Sequence, residues 1–269
     1  MTKIRAANGG GKSFYVNHLS CNDYYSEGEK ITGYWRGRLV ADFGLIGSEV
    51  NSETFSLLQK NINPYTMGKL TQKNVSGGPR FFDFQCAAPK SVSVMSMLDG
   101  RLLTAHKEAV WVAMAELEKL AAVRLRKGDQ VRTNNYEITG KILYATFMHD
   151  ASRALDPQLH THNVVANVTK TTGGEFKALE SLEMVRAIRY AGKVYHNELA
   201  RVCHKLGYQT VNHLDEKGNI VWFDIKGVSE KIMDKFSKRR AEIEAKEAEF
   251  ITKHGRKPTL SENNFISMT

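Results

Sequence analysis

Three histidines, one aspartate and a group of tyrosines are the residues of this chain whose types and spacing offer chemistry. His160 and His162 flank a single threonine in Leu159-His160-Thr161-His162-Asn163, and His149 precedes them in His149-Asp150-Ala151-Ser152. Alternate residues of a strand share a face, so His160 and His162 project together if this stretch is extended. If the two segments pair as an antiparallel hairpin, His149 at the end of the first strand joins them. Three convergent neutral imidazoles form a divalent-metal site with positions open to substrate. The bland alternative is a pair of surface histidines, because His-x-His alone is a weak motif. The third histidine, with Asp150, Arg153 and Asp156 in the connecting loop, favours the metal reading. Imidazoles alone prefer zinc or another late transition ion, whereas phosphate and water ligands would shift the preference to magnesium or manganese. A metal there would polarise a phosphate.

The tyrosines lie near the N-terminus, in Phe14-Tyr15 and Tyr24-Tyr25. A phenol ionises near pH ~10, so it needs a base or a cation to act as a nucleophile at neutral pH. Packing at a domain edge is the ordinary role for such aromatics. Asp83 sits between phenylalanines in Arg80-Phe81-Phe82-Asp83-Phe84-Gln85-Cys86-Ala87. A carboxylate in that setting needs a partner. It could orient a ligand histidine, take a tyrosine proton, or pair with Arg80. Lys90, in Ala88-Pro89-Lys90-Ser91, is a candidate phosphate contact. Gly9-Gly10-Gly11-Lys12-Ser13 resembles the end of a P-loop, but Ala6 stands where the motif needs glycine and no strand has room to precede it. It reads as a loop.

The elements that must hold these groups are legible in outline. Residues 13–25 predict a short helix and a polar bend, and 52–60 a second helix. Gly77-Gly78-Pro79 marks a turn before a half-buried strand over 80–87. Residues 89–97 fit helix or strand. An amphipathic helix is expected over 102–126, closed by Gly128-Asp129. Tyr136–Met148 and Leu159–Val168 read as strands, 170–174 as a turn and 177–179 as a short extended piece. A long helix over 182–206 stops at Gly207, a hairpin turns at Lys217-Gly218-Asn219, and 226–250 is helical and rich in alternating charge. This mixture predicts an α+β layered sheet.

The 269 residues suffice for a substantial core. Lys and Arg outnumber Asp and Glu by 38 to 29, for a net charge of +9. That balance fits a polyanionic partner such as nucleic acid, and equally a well-solvated surface. Three scattered cysteines, Cys21, Cys86 and Cys203, form no disulfide framework or zinc motif and suit a reducing compartment. No stretch approaches the ~20 apolar residues of a membrane span, and the N-terminus has no signal-peptide core. A soluble cytoplasmic protein is expected.

These pieces together resemble the N-terminal relaxase domain of TraI/TrwC-type conjugative relaxases, in the HUH endonuclease superfamily. The resemblance covers most of the chain. Its anchors are Tyr24-Tyr25, Trp35-Arg36-Gly37, Gly44-Leu45-Ile46-Gly47, Asp83 with Ala88-Pro89-Lys90-Ser91-Val92-Ser93, both histidine motifs, Arg189-Tyr190 and Leu206-Gly207-Tyr208. It implies a bacterial enzyme that nicks and rejoins single-stranded DNA beside a hairpin at a plasmid transfer origin. A tyrosine would form a 5′-phosphotyrosine, with a divalent ion on His149, His160 and His162. Asp83 would help deprotonate the tyrosine or orient a histidine. It also implies a two-layer sandwich with a central antiparallel sheet flanked by helices, and relaxosome accessory and type IV coupling proteins as partners. Residues 1–225 would form the catalytic core, and 226–269 a helical segment of the same domain folding over DNA. Arg80, Lys90, Arg153, Lys170, Arg186 and Arg189 are the candidate phosphate contacts. The family's first tyrosine pair reads Phe14-Tyr15 here, so the nucleophile lies among Tyr15, Tyr24 and Tyr25, with Tyr15 narrowly preferred. A hydrolytic metallonuclease and a non-catalytic single-strand DNA-binding module are the competing readings. The helicase of longer family members has no counterpart past residue 225.

Overall fold

A computed structural model describes residues 2–5, 32–72, 80–125, 136–152, 154–259, 262–263 and 266. Among the described residues, five antiparallel strands form the central sheet. They are β1 (Thr2–Arg5), β2 (Tyr34–Arg36), β3 (Phe81–Ala87), β6 (Tyr144–Ala151) and β7 (Pro157–Ala166), in the spatial order β1-β3-β7-β6-β2. Three two-stranded ribbons accompany it: β4 (Ala122–Arg124) with β5 (Tyr136–Ile138), β8 (Thr169–Lys170) with β9 (Phe176–Lys177), and β10 (Thr210–Leu214) with β11 (Ile220–Ile225). The helices are α1 (Ser52–Gln59), α2 (Lys90–Met95), α3 (Arg101–Glu118), α4 (Leu182–Arg186), α5 (Ile188–Lys205), α6 (Glu230–Lys235) and α7 (Lys238–His254).

Both faces of the sheet are covered, which is why β3 is more apolar than a half-buried strand. Phe82, Phe84 and Cys86 point with Tyr144 and Val165 into a core shared with α3 and α5. On α3 the buried positions Leu102, Ala105, His106, Ala109, Val110, Ala113, Met114 and Leu117 recur at three- and four-residue spacing, one stripe of a helix. Phe81 faces the other way. It joins Ala145, Phe147, Val164 and Ala166 in a second core under Trp35, Leu39, Phe43, Phe55 and Leu58. The expected α+β architecture with a central antiparallel sheet is what forms.

Several boundaries differ from expectation. The helix predicted over 102–126 ends at Glu118, and Ala122–Arg124 turns into a strand paired with Tyr136–Ile138. Val123 fits both spacings, so periodicity alone could not place the stop. The strand expected over 136–148 is broken at Gly140, whose φ of +60° belongs to the left-handed region. The helix over 182–206 is two helices meeting at Ala187, where ψ is 1°. The tail splits at Phe236–Ser237, and 89–97 resolves as the short helix α2. Thr2–Arg5, where no strand was expected to find room, forms β1 on the edge of the sheet beside β3, while the expected helix at 13–25, the loop at 9–13 and the turn glycines at 77, 78 and 128 lie outside the described residues.

The buried Glu118 carboxylate holds the β2 edge in place. Its Oε1 accepts from the backbone N–H of Arg38 at 2.8 Å and of Ile142 at 3.0 Å. Gly37 makes that approach sterically feasible. Its φ is +97°, and a Cβ there would sit 2.2 Å from the Ile142 carbonyl oxygen. Gly37→Ala should therefore destabilise the chain by about 2 kcal/mol or more in denaturant titration, from left-handed strain plus the clash. An unchanged midpoint would remove this account of Gly37.

Candidate metal centre

Register places the histidines. In the β6–β7 pair His149 is the direct partner of His160, and Phe147 that of His162. In the β3–β7 pair Gln85 faces His162 and Asp83 faces Val164. Period two then puts Asp83, His149, His160 and His162 on one face, in line with Phe147 and Val164. A bulge between His149 and Ala151 ends the regular ladder immediately after the first histidine.

The three imidazoles are gathered together. Their ring centroids are 5.0 Å (His149–His160), 5.5 Å (His149–His162) and 5.3 Å (His160–His162) apart. With metal–nitrogen bonds of about 2.0–2.1 Å, a ring centroid lies about 3.2 Å from the ion, and rings at near-tetrahedral angles stand about 5 Å apart. The spacing fits one ion. The donor directions are less complete: among the described residues no three His, Cys, Asp or Glu side chains already converge as a ligand set. Spacing decides here, because χ2 of histidine is a broad torsion that a bound ion can reset, whereas strand positions are not adjustable.

Hydrogen bonds select the ligating nitrogens. The His162 Nδ1–H donates to Asp83 Oδ2 at 2.6 Å, and the His160 Nδ1–H donates to the Gln158 carbonyl at 2.7 Å. In both rings the lone pair is then on Nε2. A carboxylate or carbonyl on the far nitrogen is the usual support of a ligand histidine. Asp83 is 3% exposed, and its Oδ1 has no hydrogen-bond partner among the described residues. Of the roles considered for Asp83, orientation of a histidine is the one that its bond to His162 serves.

Protonation favours ligation as well. Burial, reinforced by repulsion from His160 and His162, holds His149 down to about 3. Burial also lowers His160, against a smaller opposing effect of its bond to Gln158. Neutral imidazoles are the metal-binding form.

Behind the site lies a residue that sequence reasoning passed over. His106 on α3 is fully buried and bonds Tyr195 Oη through Nδ1 and Thr161 Oγ1 through Nε2, each at 2.7 Å. Thr161 lies between His160 and His162 and points to the opposite face, so His106 and Tyr195 pin β7 to the helices. Asn163 does likewise within the sheet, donating to the Phe84 carbonyl and accepting from Thr146. Nothing local in the sequence marks His106, whose partners are 55 and 89 residues away.

The remaining candidates scatter. Tyr15, Tyr24, Tyr25 and Arg153 lie outside the described residues. Lys90 was expected at a phosphate, but its ammonium donates to the carbonyls of Pro157 and Phe236. Lys170 pairs with Asp42, and Arg186 with Glu183. Arg189 is exposed on α5, in the helical layer on the face of the sheet away from the histidines, and Arg80 is half-buried before β3.

Two outcomes follow. Asp83→Asn should weaken metal binding about tenfold or more by isothermal titration, as loss of such a support typically does; unaltered affinity would show that Asp83 does not orient His162. Stability should depend on acid. His106 and His149 are held down to about 3 and His196 to about 4, chiefly by burial, while unfolded histidines titrate near ~6.5. Between those values the unfolded state binds more protons, so stability is present above about pH 6.5 and is lost as pH falls toward 3. The thermal midpoint should drop through that window, and the drop should be shallower in His106→Gln.

Comparison with known proteins identifies the family. A sequence profile of the TrwC relaxase family matches residues 8–269. The multifunctional conjugation protein TraI of Escherichia coli is 38% identical over 206 residues, covering 72% of this chain and 11% of that protein. TraI of Escherichia coli strain K12 is 36% identical over 225 residues, covering 78% and 12%. The chain thus spans only a small part of these relatives' length. Conjugative relaxase TrwC, in a metal-bound complex with oriT DNA, superposes with a TM-score of 0.81 at 29% identity over 99% of this chain and 89% of that one. TrwC with a 27-mer DNA comprising the recognition hairpin and the cleavage site gives 0.79 at 28% identity, over 99% and 89%. A profile match over nearly the whole length, joined to the same fold, makes this chain a member of the TrwC relaxase family.

Proposed function

We propose that the chain is a conjugative relaxase domain, which nicks one strand of single-stranded DNA at a plasmid transfer origin and rejoins it through a covalent phosphotyrosine. The observation that carries this reading is the triangle of His149, His160 and His162, with Asp83 behind His162. Those histidines would hold a divalent ion, which supplies polarisation of the scissile phosphate and neutralisation of its developing charge. Magnesium or manganese suits a site completed by phosphate and water, and zinc or another transition ion suits imidazoles alone. The DNA would carry a hairpin beside the cut, as in the complexes of the related TrwC.

The tyrosine oxygen attacks phosphorus, the bond from phosphorus to the 3′ oxygen breaks, and the leaving 3′ oxygen takes up a proton. The product is a 5′-phosphotyrosine and a free 3′-hydroxyl. One phosphodiester replaces another, so the step reverses without a nucleotide cofactor. Tyr15, Tyr24 and Tyr25 are the candidate nucleophiles, with Tyr15 placed first. Accessory and coupling proteins of a conjugative complex would be its partners. Among the described residues no helix is long and apolar enough to cross a membrane.

The test is a covalent adduct. Single-stranded origin DNA labelled at its 3′ end, incubated with the chain and Mn²⁺, should migrate with protein on a denaturing gel. The adduct should vanish in His160→Ala and in Tyr15→Phe. Full adduct from Tyr15→Phe would move the nucleophile to Tyr24 or Tyr25. Cleavage with no adduct would instead identify a hydrolytic metallonuclease, and tight binding without cleavage a binding module.

A further inference from the structure

The helices after residue 229 are attached in an unusual way. Neither α6 nor α7 has a buried residue. A 17-residue helix ordinarily docks through a buried apolar face, whereas α7 has no residue that is more than partly buried. What fixes its start is polar. The Asp156 Oδ2 accepts the backbone N–H of Lys238, the first residue of α7, at 2.7 Å, and Oδ1 lies 3.7 Å from the Lys238 ammonium. Ser237, which precedes α7, does not cap it, because its hydroxyl donates to the Met233 carbonyl of α6. Asp156 supplies the missing acceptor and places negative charge where the helix dipole favours it. Lys90 completes the junction by donating to Phe236 at 2.7 Å and to Pro157 at 3.0 Å.

The other end of these contacts is the hairpin that carries the histidines. Pro157 opens β7 three residues before His160. Asp156 closes the turn after His149: its N–H donates to Ser152 Oγ at 3.2 Å, and its carbonyl accepts from the Ser152 N–H at 2.8 Å. The helix that bears Lys90 also holds this stretch through Ser93, whose hydroxyl accepts from the Leu159 N–H at 3.0 Å.

We infer that Lys90 and Asp156 are positioning residues that couple docking of the C-terminal helix α7 to the geometry of the metal-binding hairpin. The physical reason is the cost of separating the two. Asp156 is 2% exposed. If α7 leaves, a buried carboxylate loses its hydrogen bond, and a half-buried ammonium loses one of its two carbonyls. Both losses are expensive enough to make the junction respond as one unit. Coupling of this kind is reciprocal: what tightens the hairpin must tighten the helix by the same factor.

This inference rests on the three histidines binding a metal, and the experiment separates the two ideas. Hydrogen exchange of residues 238–254 and Mn²⁺ affinity by titration calorimetry are measured on the full chain. Mn²⁺ should slow exchange over α7 in the unaltered chain. Lys90→Met and Asp156→Ala should speed that exchange without metal, weaken Mn²⁺ binding about tenfold, and abolish the slowing. Asp156→Asn and Lys90→Gln, which keep an acceptor and a donor, should recover much of the protection and of the affinity. His160→Ala should lose the metal but keep normal metal-free exchange over α7. Faster exchange in the variants with unaltered Mn²⁺ affinity would overturn the coupling and leave only an anchor. An unaltered chain that binds no Mn²⁺ would sink the metal centre, and the coupling with it, whatever the exchange shows.

Discussion

The pairing of β6 with β7 is the constraint on which the rest depends. His149 and His160 are direct cross-strand partners, and His162 lies one repeat along the same face. A shift of one residue in that ladder would turn one strand's imidazoles to the opposite face. The register is therefore set by much more than the histidines. Ala145, Phe147, Val164 and Ala166 bury themselves on the histidine face, while Tyr144 and Val165 bury themselves on the other. A slip would expose one set and bury the wrong one, so core packing on both faces protects the histidine geometry. His106 and Asn163 add fixed polar contacts from the reverse face, where a displaced strand would leave them unsatisfied.

Asp83 shows how the second core serves the chemistry. It continues the row of Phe81, which stacks on Phe55 at 4.3 Å between ring centroids, so its carboxylate emerges from an apolar wall. In that setting its bond to His162 is strong and the orientation it imposes is firm. The sheet edge is secured independently, by Glu118 reaching from the end of α3 to the backbone of Arg38 and Ile142.

The sequence was legible where the pattern was local. Alternation placed His160 and His162 on one face, and the stripe from Leu102 to Leu117 identified α3. It failed where two periods coincide, as at Val123, and where a glycine or alanine breaks an element without a composition change, as at Gly140 and Ala187. The site was partly legible. The trio and the partnership of Asp83 with a histidine could be anticipated, since each needs only neighbouring strands. His106 could not, because its role arises from packing between distant elements. The place of Lys90 was hidden for the same reason: its sequence neighbourhood suggests a phosphate contact, and its bonds to Pro157 and Phe236 arise only when distant elements meet.

The closeness in sequence of His149 and His160 has a consequence for how the protein is assembled. The two are joined by one short hairpin, so bringing them together closes a small loop and orders little chain. Asp83 reaches His162 across 79 residues, and Lys90 reaches Phe236 across 146. Gathering the imidazoles thus closes a small loop, whereas the carboxylate that aims one of them and the junction that braces the other end each close a much larger one. A chain caught partway would hold the paired imidazoles without the long-range supports that orient them.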